Sequence, residues 1–180
     1  MPMNVEIEAK LKVGSHKSVE QNLPKLGARF LATLRQTDYY FDDSKSTFTR
    51  QDKCLRIRKQ THRNKNKYFL AYKGPKQKSN FKKRQELEIE VKDFIKTKTI
   101  LEVLGYRQAI VVEKTRRLWK INSCHVALDK VKRLGNYVEI EGPDNKKIEI
   151  LKNLLGLEKI IHIKQSYADL LLRKLSKGIQ

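Results

Sequence analysis

Glu6-Ile7-Glu8-Ala9-Lys10 sets two carboxylates and an ammonium in alternation with apolar residues. Alternate residues of a strand point to opposite faces. Glu6, Glu8 and Lys10 therefore share one face, and Val5, Ile7, Ala9 and Leu11 the other. Two carboxylates so close repel one another unless a cation lies between them. A divalent metal on the two Glu, with an anion reached by the Lys, accounts for the pattern. Taken alone, the stretch also fits a half-buried strand with a wet outer face.

The same alternation returns along the chain. In Cys54-Leu55-Arg56-Ile57-Arg58 the two Arg share a face. Arg84, Glu86, Glu88 and Glu90 line one side of a strand whose other side is Leu87, Ile89 and Val91. Lys114 pairs in this way with Arg116, and Glu139 with Glu141. Lys73 ends an apolar run, and Asp129 sits in the otherwise apolar Val126-Ala127-Leu128-Asp129. One such strand is ordinary; segregated charge on at least five strands predicts a common interior. A small barrel normally fills with apolar side chains. A charged interior requires water and a compensating ligand. Carboxylates at 6, 8, 129, 139 and 141 suit hard divalent cations. Cations at 10, 56, 58, 73, 84, 114 and 116 suit phosphate oxygens, Arg in bidentate fashion.

Around these strands the sequence predicts helices. Ser15 reads as the N-cap of a helix with Val19, Leu23 and Leu26 that stops at Gly27, with Pro24 inside it. A strand follows at 29–41, then a polar loop through Thr49, then strands near 53–61, 66–73 and 83–92. Asp93 caps a helix whose apolar residues are Ile95, Ile100, Leu101 and Leu104. Strands at about 107–122, 124–133 and 136–142 precede a helix from Asp144 to Gly156. A last helix from Ser166 to Gly178 carries Tyr167, Leu170, Leu171 and Leu175 on its apolar side. With the opening strand at about 3–12, this predicts an α+β fold: an eight-stranded antiparallel barrel clad by helices, one domain over residues 1–180.

The chain has 180 residues, with 40 Lys and Arg against 20 Asp and Glu, a formal charge of +20. Its 39% hydrophobic content is enough for a core. Such a cationic excess implies an anionic partner: nucleic acid, an acidic membrane surface or a polyphosphate. No apolar run approaches the ~18 residues of a membrane span. The charged N-terminus is unlike a secretory signal, and Cys54 and Cys124 stand alone, so a cytoplasmic location is expected. The four His have no zinc-like spacing, and there is no Walker A or GxGxxG motif.

Read together, these motifs resemble the CYTH superfamily, the triphosphate tunnel metalloenzymes, and most closely its class IV adenylyl cyclase (CyaB-like) branch. Glu6-Ile7-Glu8-Ala9-Lys10 matches the ExExK signature. Gln36-Thr37-Asp38-Tyr39-Tyr40-Phe41-Asp42, Leu55-Arg56-Ile57-Arg58, Tyr72-Lys73-Gly74-Pro75, Arg84-Gln85-Glu86-Leu87-Glu88, Lys114-Thr115-Arg116, Leu128-Asp129-Lys130-Val131 and Glu139-Ile140-Glu141 follow in order. The resemblance implies a triphosphate substrate held by Lys10, Arg56, Arg58, Lys73, Arg84, Lys114 and Arg116. It implies Mg²⁺ or Mn²⁺ on Glu6, Glu8, Asp129, Glu139 and Glu141, with Glu86, Glu88 and Lys164 as further candidates. Glu6, Glu8, Lys10 and Tyr39 are the expected catalytic residues, Tyr39 by orienting a nucleophile. The implied activity is conversion of ATP to cyclic AMP and pyrophosphate. Hydrolysis of thiamine triphosphate, a nucleoside triphosphate or tripolyphosphate is the alternative, and a non-catalytic polyphosphate or RNA binder a remote one. A homodimer is implied only by resemblance. Nucleic acid is not the expected partner, since paired carboxylates gain nothing by facing it.

Overall fold

The structure is a computed structural model and describes residues 4–177. Eight strands close into one antiparallel barrel in the order β1-β5-β4-β3-β2-β6-β7-β8. They are β1 (Asn4–Val13), β2 (Arg29–Asp42), β3 (Cys54–His62), β4 (Lys65–Lys73), β5 (Lys82–Val91), β6 (Arg107–Ile121), β7 (Cys124–Val131) and β8 (Gly135–Glu141). Five helices accompany them: α1 (Lys17–Lys25), α2 (Thr47–Arg50), α3 (Phe94–Val103), α4 (Asn145–Leu154) and α5 (Tyr167–Lys177). The barrel closes where β1 pairs with β5 on one side and β8 on the other.

The predicted alternation determines what each wall meets. Ile7, Ala9 and Leu11 of β1, Val126 and Leu128 of β7, and Val138 and Ile140 of β8 face outward into one core. Val19 and Leu23 of α1 and Ile148 and Leu151 of α4 cover them. A second outer core joins Phe41 and Ile57 to Leu101 of α3. The first helix stops at Gly27 as expected, and α3 stops in the same way at Gly105. Gly27 and Gly105 take φ of +78° and +89°, the left-handed turn that only Gly adopts without a steric penalty.

Four local expectations change. His16, not Ser15, is the N-cap of α1, although the Ser15 hydroxyl accepts the Lys17 N–H at 3.2 Å. The polar loop before β3 contains α2, organised by Asp42, whose Oδ1 accepts the Phe48 N–H and whose Oδ2 accepts the Thr49 N–H. On α3 only Leu101 of the four predicted apolar residues is buried; Ile95, Ile100 and Leu104 are exposed. The helix seats Phe94 and Leu101, seven residues or about two turns apart, on the barrel, which turns the others outward. Finally, α5 does not clad the outside. Its Tyr167, Ala168 and Leu171 pack on Val112, Val131 and Tyr137, which alternate with the outward residues and so face the lumen. The Ser166 start is correct and forms a reciprocal cap: the Ser166 N–H donates to Asp169 Oδ2, and the Asp169 N–H to Ser166 Oγ. The Gly178 stop and the first predicted strand residue, at 3, lie outside the described residues.

Candidate functional site

Cross-strand register brings the inward charges together. Glu6 of β1 stands opposite Arg84 of β5, and Glu8 opposite Lys82. On its other side Glu8 faces Glu141 of β8, and Lys10 faces Glu139. Lys73 of β4 stands opposite Glu86. The resulting cavity, about 360 Å³, is lined by Glu6, Glu8, Lys10, Arg56, Arg58, Lys73, Arg84, Lys114, Arg116, Glu139 and Glu141, among others. Eleven of the expected site residues therefore meet in one place.

Nearly every charge in the cavity is paired. Lys82 Nζ donates to Glu8 Oε1 at 2.6 Å, and Lys73 Nζ to Glu6 Oε2 at 2.5 Å. Lys10 Nζ lies 3.3 Å from Glu139 Oε1 and 3.7 Å from Glu8 Oε1. Arg58 grips Asp38 with two bonds of 2.6 and 2.9 Å, and Lys114 donates to the same carboxylate at 2.9 Å. Arg116 holds Asp129 with bonds of 2.8 and 2.6 Å and also reaches Glu139. Arg56 donates to Glu88 at 3.1 Å. Eight cations (10, 56, 58, 73, 82, 84, 114, 116) thus face eight carboxylates (6, 8, 38, 86, 88, 129, 139, 141).

Titration follows from this packing. Burial pushes the Glu8 carboxyl up, but Lys82 and Lys10 overcome it and hold the pKa down at about 2. Burial opposes ionisation of Asp38 as well, yet Arg58, Lys114 and Arg56 hold it well below the usual range. Lys114 pays for its burial more than Asp38 returns, and its pKa falls to about 8. Glu141 is the exception among the carboxylates. Among the described residues no cation pairs with it, and although one side of Glu141 is open to solvent, its partial burial with Glu6 and Glu8 drives its pKa up to about 7.

Glu141, Glu8 and Glu6 are hard oxygen donors that repel one another, a set that fits a divalent cation. Among the described residues, no three His, Cys, Asp or Glu are gathered closely enough to hold a metal as they stand, because the lysines occupy Glu6, Glu8 and Glu139. Asp129 is a different case. Arg116 takes both of its oxygens, and the Tyr167 hydroxyl donates to Oδ2 at 2.9 Å, so it reads as an anchor for Arg116 and not as a free ligand.

Tyr39 does not meet the other expected catalytic residues. Asp38 and Tyr40 point inward, so Tyr39 points out, where its ring lies 4.9 Å from that of Phe94 on α3. Tyr40 lines the cavity instead. Lys164 also stands apart: it is an exposed side chain donating to the Ser79 carbonyl at 2.9 Å.

Four site residues escaped the sequence reading. Lys82 was legible in principle, since it extends the two-residue alternation recognised on its strand, whereas Asp38 is the lone acid in the middle of β2, where no charged alternation marks a face. Asp52, on the loop after α2, accepts from Arg84 at 2.5 Å and from Lys76, and a loop residue carries no periodic signal. Tyr167 fits the apolar stripe of α5, and nothing in that stripe announces that it enters the lumen. There Lys10 Nζ lies 4.3 Å, and Lys114 Nζ 5.3 Å, from its ring centroid, a cation–π arrangement.

Comparison with known proteins agrees with this geometry. A CYTH domain family model matches residues 4–169. The "Putative adenylate cyclase MJ0240" of Methanocaldococcus jannaschii is 30% identical over 173 residues, 94% of this chain and 95% of that protein. The PH1819 protein of Pyrococcus horikoshii has a solved structure with 29% identity and a TM-score of 0.82, covering 94% of this chain and 99% of its own. A Hippeastrum protein described as having a dominant triphosphatase activity shares the fold at 17% identity, with a TM-score of 0.68 over 97% of this chain and 96% of its own. No described helix is long and apolar enough to cross a membrane.

Proposed function

The chain belongs to the CYTH domain family, and from that premise we propose that it is a metal-dependent enzyme that draws the phosphate chain of ATP into its tunnel and releases cyclic AMP and pyrophosphate. The observation that carries the reading is the inward alternation of cations and carboxylates on all walls of a closed barrel. A surface built only to bind phosphate gains nothing from Glu6, Glu8, Glu139 and Glu141 beside its cations.

Phosphoryl transfer requires alignment and charge neutralisation more than covalent participation by the protein. Lys10, Arg56, Arg58, Lys73, Arg84, Lys114 and Arg116 surround the cavity and hold the phosphate oxygens. Their partners fix their geometry in advance: Asp38 holds Arg58, and Asp129 holds Arg116. Preorganised cations of this kind lower the barrier because they need not reorient as charge develops. In cyclisation the ribose 3′-oxygen attacks the α-phosphorus, and the bond to the oxygen bridging the β-phosphorus breaks. The charge appearing on the departing pyrophosphate is met by the tunnel's cations. A divalent cation such as Mg²⁺ or Mn²⁺, held by Glu6, Glu8, Glu139 and Glu141, would neutralise phosphate charge and acidify the attacking hydroxyl.

The same tunnel serves water as the nucleophile on a terminal phosphorus. That second reading, a triphosphatase, is favoured by the lining itself: the charged groups address phosphate and outnumber the aromatic residues, Tyr40, Phe41, Phe48 and Tyr167, of which Tyr167 is covered by Lys10 and Lys114. Product analysis separates the two. The purified protein is incubated with ATP, thiamine triphosphate or tripolyphosphate, each with Mg²⁺ or Mn²⁺. Cyclic AMP with pyrophosphate supports the cyclase, and orthophosphate the triphosphatase. No turnover of any substrate with either metal overturns both.

A further inference from the structure

The tunnel's eight cations and eight carboxylates cancel, so the surplus of +20 lies on the outside of the molecule. It is not spread evenly. Strand alternation turns Arg35 and Thr37 of β2, Lys59 and Thr61 of β3, Thr115 of β6 and Lys130 of β7 outward. With Lys132 and Arg133 of the following turn, and with Gln36, Lys114 and Val131 from the lumen side of the same strands, they line a concave face of about 1000 Å³. Six of its residues are cations, one of them Lys114, which is held by Asp38, and one, Glu113, is an acid, already engaged by Lys132. Exposed Asn64 and Asn66 add amides at its edge. Where the outer wall meets a helix it is apolar, as at Ile57 under α3; here it is Thr, Lys and Arg, residues suited to a polar partner.

We propose that this basic saddle is a binding site for single-stranded nucleic acid, meeting the tunnel only at Lys114 and held chiefly through the phosphate backbone. Four independent cations beyond the Lys132–Glu113 and Lys114–Asp38 pairs, hydroxyls of Thr37, Thr61 and Thr115, and amides beside them match a strand's phosphates and polar edges. A flat acidic bilayer fits less well: the face is concave and presents no exposed large apolar side chain for insertion, such residues lying elsewhere, on α3 at Ile95, Ile100 and Val103.

The test uses a fluorescent single-stranded RNA with a 5′-hydroxyl end, so that no terminal triphosphate is offered to the tunnel, with EDTA present. Anisotropy is followed against salt concentration. About four to five phosphate contacts predict a log–log salt slope near −3, at about 0.7 per contact. The combined variant Lys59→Gln, Lys130→Gln, Arg133→Gln is expected to reduce the slope by about 2, which is about a hundredfold weaker binding at 0.1 M salt. A charge-matched control, Lys25→Gln, Lys45→Gln, Lys159→Gln, whose residues lie outside the saddle, is expected to stay within threefold of the parent. An unchanged melting temperature verifies that each variant folds. A control that weakens binding as much as the saddle variant overturns the proposal in favour of diffuse charge. A parent slope shallower than −1 overturns it outright. Saddle-dependent binding to phosphatidylserine vesicles tighter than to RNA overturns it in favour of a membrane face.

Discussion

Replacing Asp52 by Asn is expected to tighten substrate binding while loosening the fold. Arg84 is a buried tunnel cation, and the side-chain group it donates to is the Asp52 carboxylate, 2.5 Å away on the loop after α2. Asp52 also accepts the Lys76 N–H at 2.8 Å, and burial, which would raise its pKa, is outweighed by these bonds. An incoming phosphate must therefore displace a carboxylate to reach Arg84. A hydrogen bond to a charged group contributes ~1.5–3 kcal/mol, and partial exposure of Asp52 reduces this to about 1 kcal/mol. Asn keeps the shape and tolerates the left-handed φ of +54° found here. Loss of the competing charge then lowers KM for tripolyphosphate about fivefold, since ~1.4 kcal/mol is tenfold. The lost contact lowers the melting temperature by about 3 °C. Steady-state kinetics and thermal unfolding on the same preparation read both effects. The decisive control is Arg84→Gln, in which adding Asp52→Asn leaves KM unchanged. A KM that rises in the single variant, or falls equally in the Arg84→Gln background, refutes the argument that Asp52 and phosphate compete for one guanidinium.

Tyr167→Phe removes the hydroxyl that donates to buried Asp129 but leaves the ring beneath Lys10 and Lys114. It should cost about 1.5–2 kcal/mol, roughly 5 °C in thermal unfolding, and Tyr167→Leu about 1 kcal/mol more; equal stability of Phe and Leu variants would remove the cation–π contribution. Tyr39→Phe should leave kcat and KM within about twofold, because the hydroxyl lies outside the tunnel, whereas Tyr39→Ala should lose about 2 kcal/mol of packing against Phe94. Glu141 holds its proton to about pH 7, above its unfolded value of 4.5. The native state therefore binds more protons than the unfolded chain in that window, and this group's contribution to stability is lost as pH rises through it. A divalent cation should reverse the effect and expel the proton. Calorimetric titration of Mn²⁺ at pH 6.5 in two buffers of different ionisation enthalpy should show proton release, and Glu141→Gln should abolish it.

The barrel was legible because a two-residue period survives any tertiary context: a strand with one charged face and one apolar face states which side is which. Glu6, Glu8 and Lys10 became inward residues only when the same period appeared on β3, β5, β6 and β8. What the period could not give was identity at a given phase. Tyr39 and Tyr40 are neighbours of the same type, and only the phase set by Asp38 puts Tyr40 inside. Exposure on α3 was illegible for a related reason. Its apolar residues surround most of the helix, so the sequence does not say which of them face the barrel. Loop and terminal residues were beyond reach altogether, since Asp52 and Tyr167 owe their roles to where the chain folds back, at sequence separations of 32 from Arg84 and 38 from Asp129.

The balanced tunnel implies a particular way of using binding energy. An isolated buried cation is costly, and a tunnel of unpaired Lys and Arg would destabilise its own fold. Here each cation of the cavity has a carboxylate partner, although the Nε atoms of Arg56 and Arg84 are left without an acceptor, and the charges are still oriented toward the lumen. A triphosphate alone would then gain little, because each phosphate contact is made at the expense of a carboxylate contact. The gain becomes net only if the released carboxylates find cations of their own. Lys73 leaving Glu6, Lys82 leaving Glu8 and Lys10 leaving Glu139 would expose the carboxylates that, with Glu141, suit a divalent metal. Phosphate and metal are therefore expected to bind with positive coupling: each should tighten the other, by the same factor in both directions. Calorimetry of tripolyphosphate with and without Mn²⁺, and of Mn²⁺ with and without a non-hydrolysable triphosphate, measures that factor twice. Independent binding, with a factor near one, would mean that the lysine–glutamate pairs stay closed and that the phosphate chain enters without opening them.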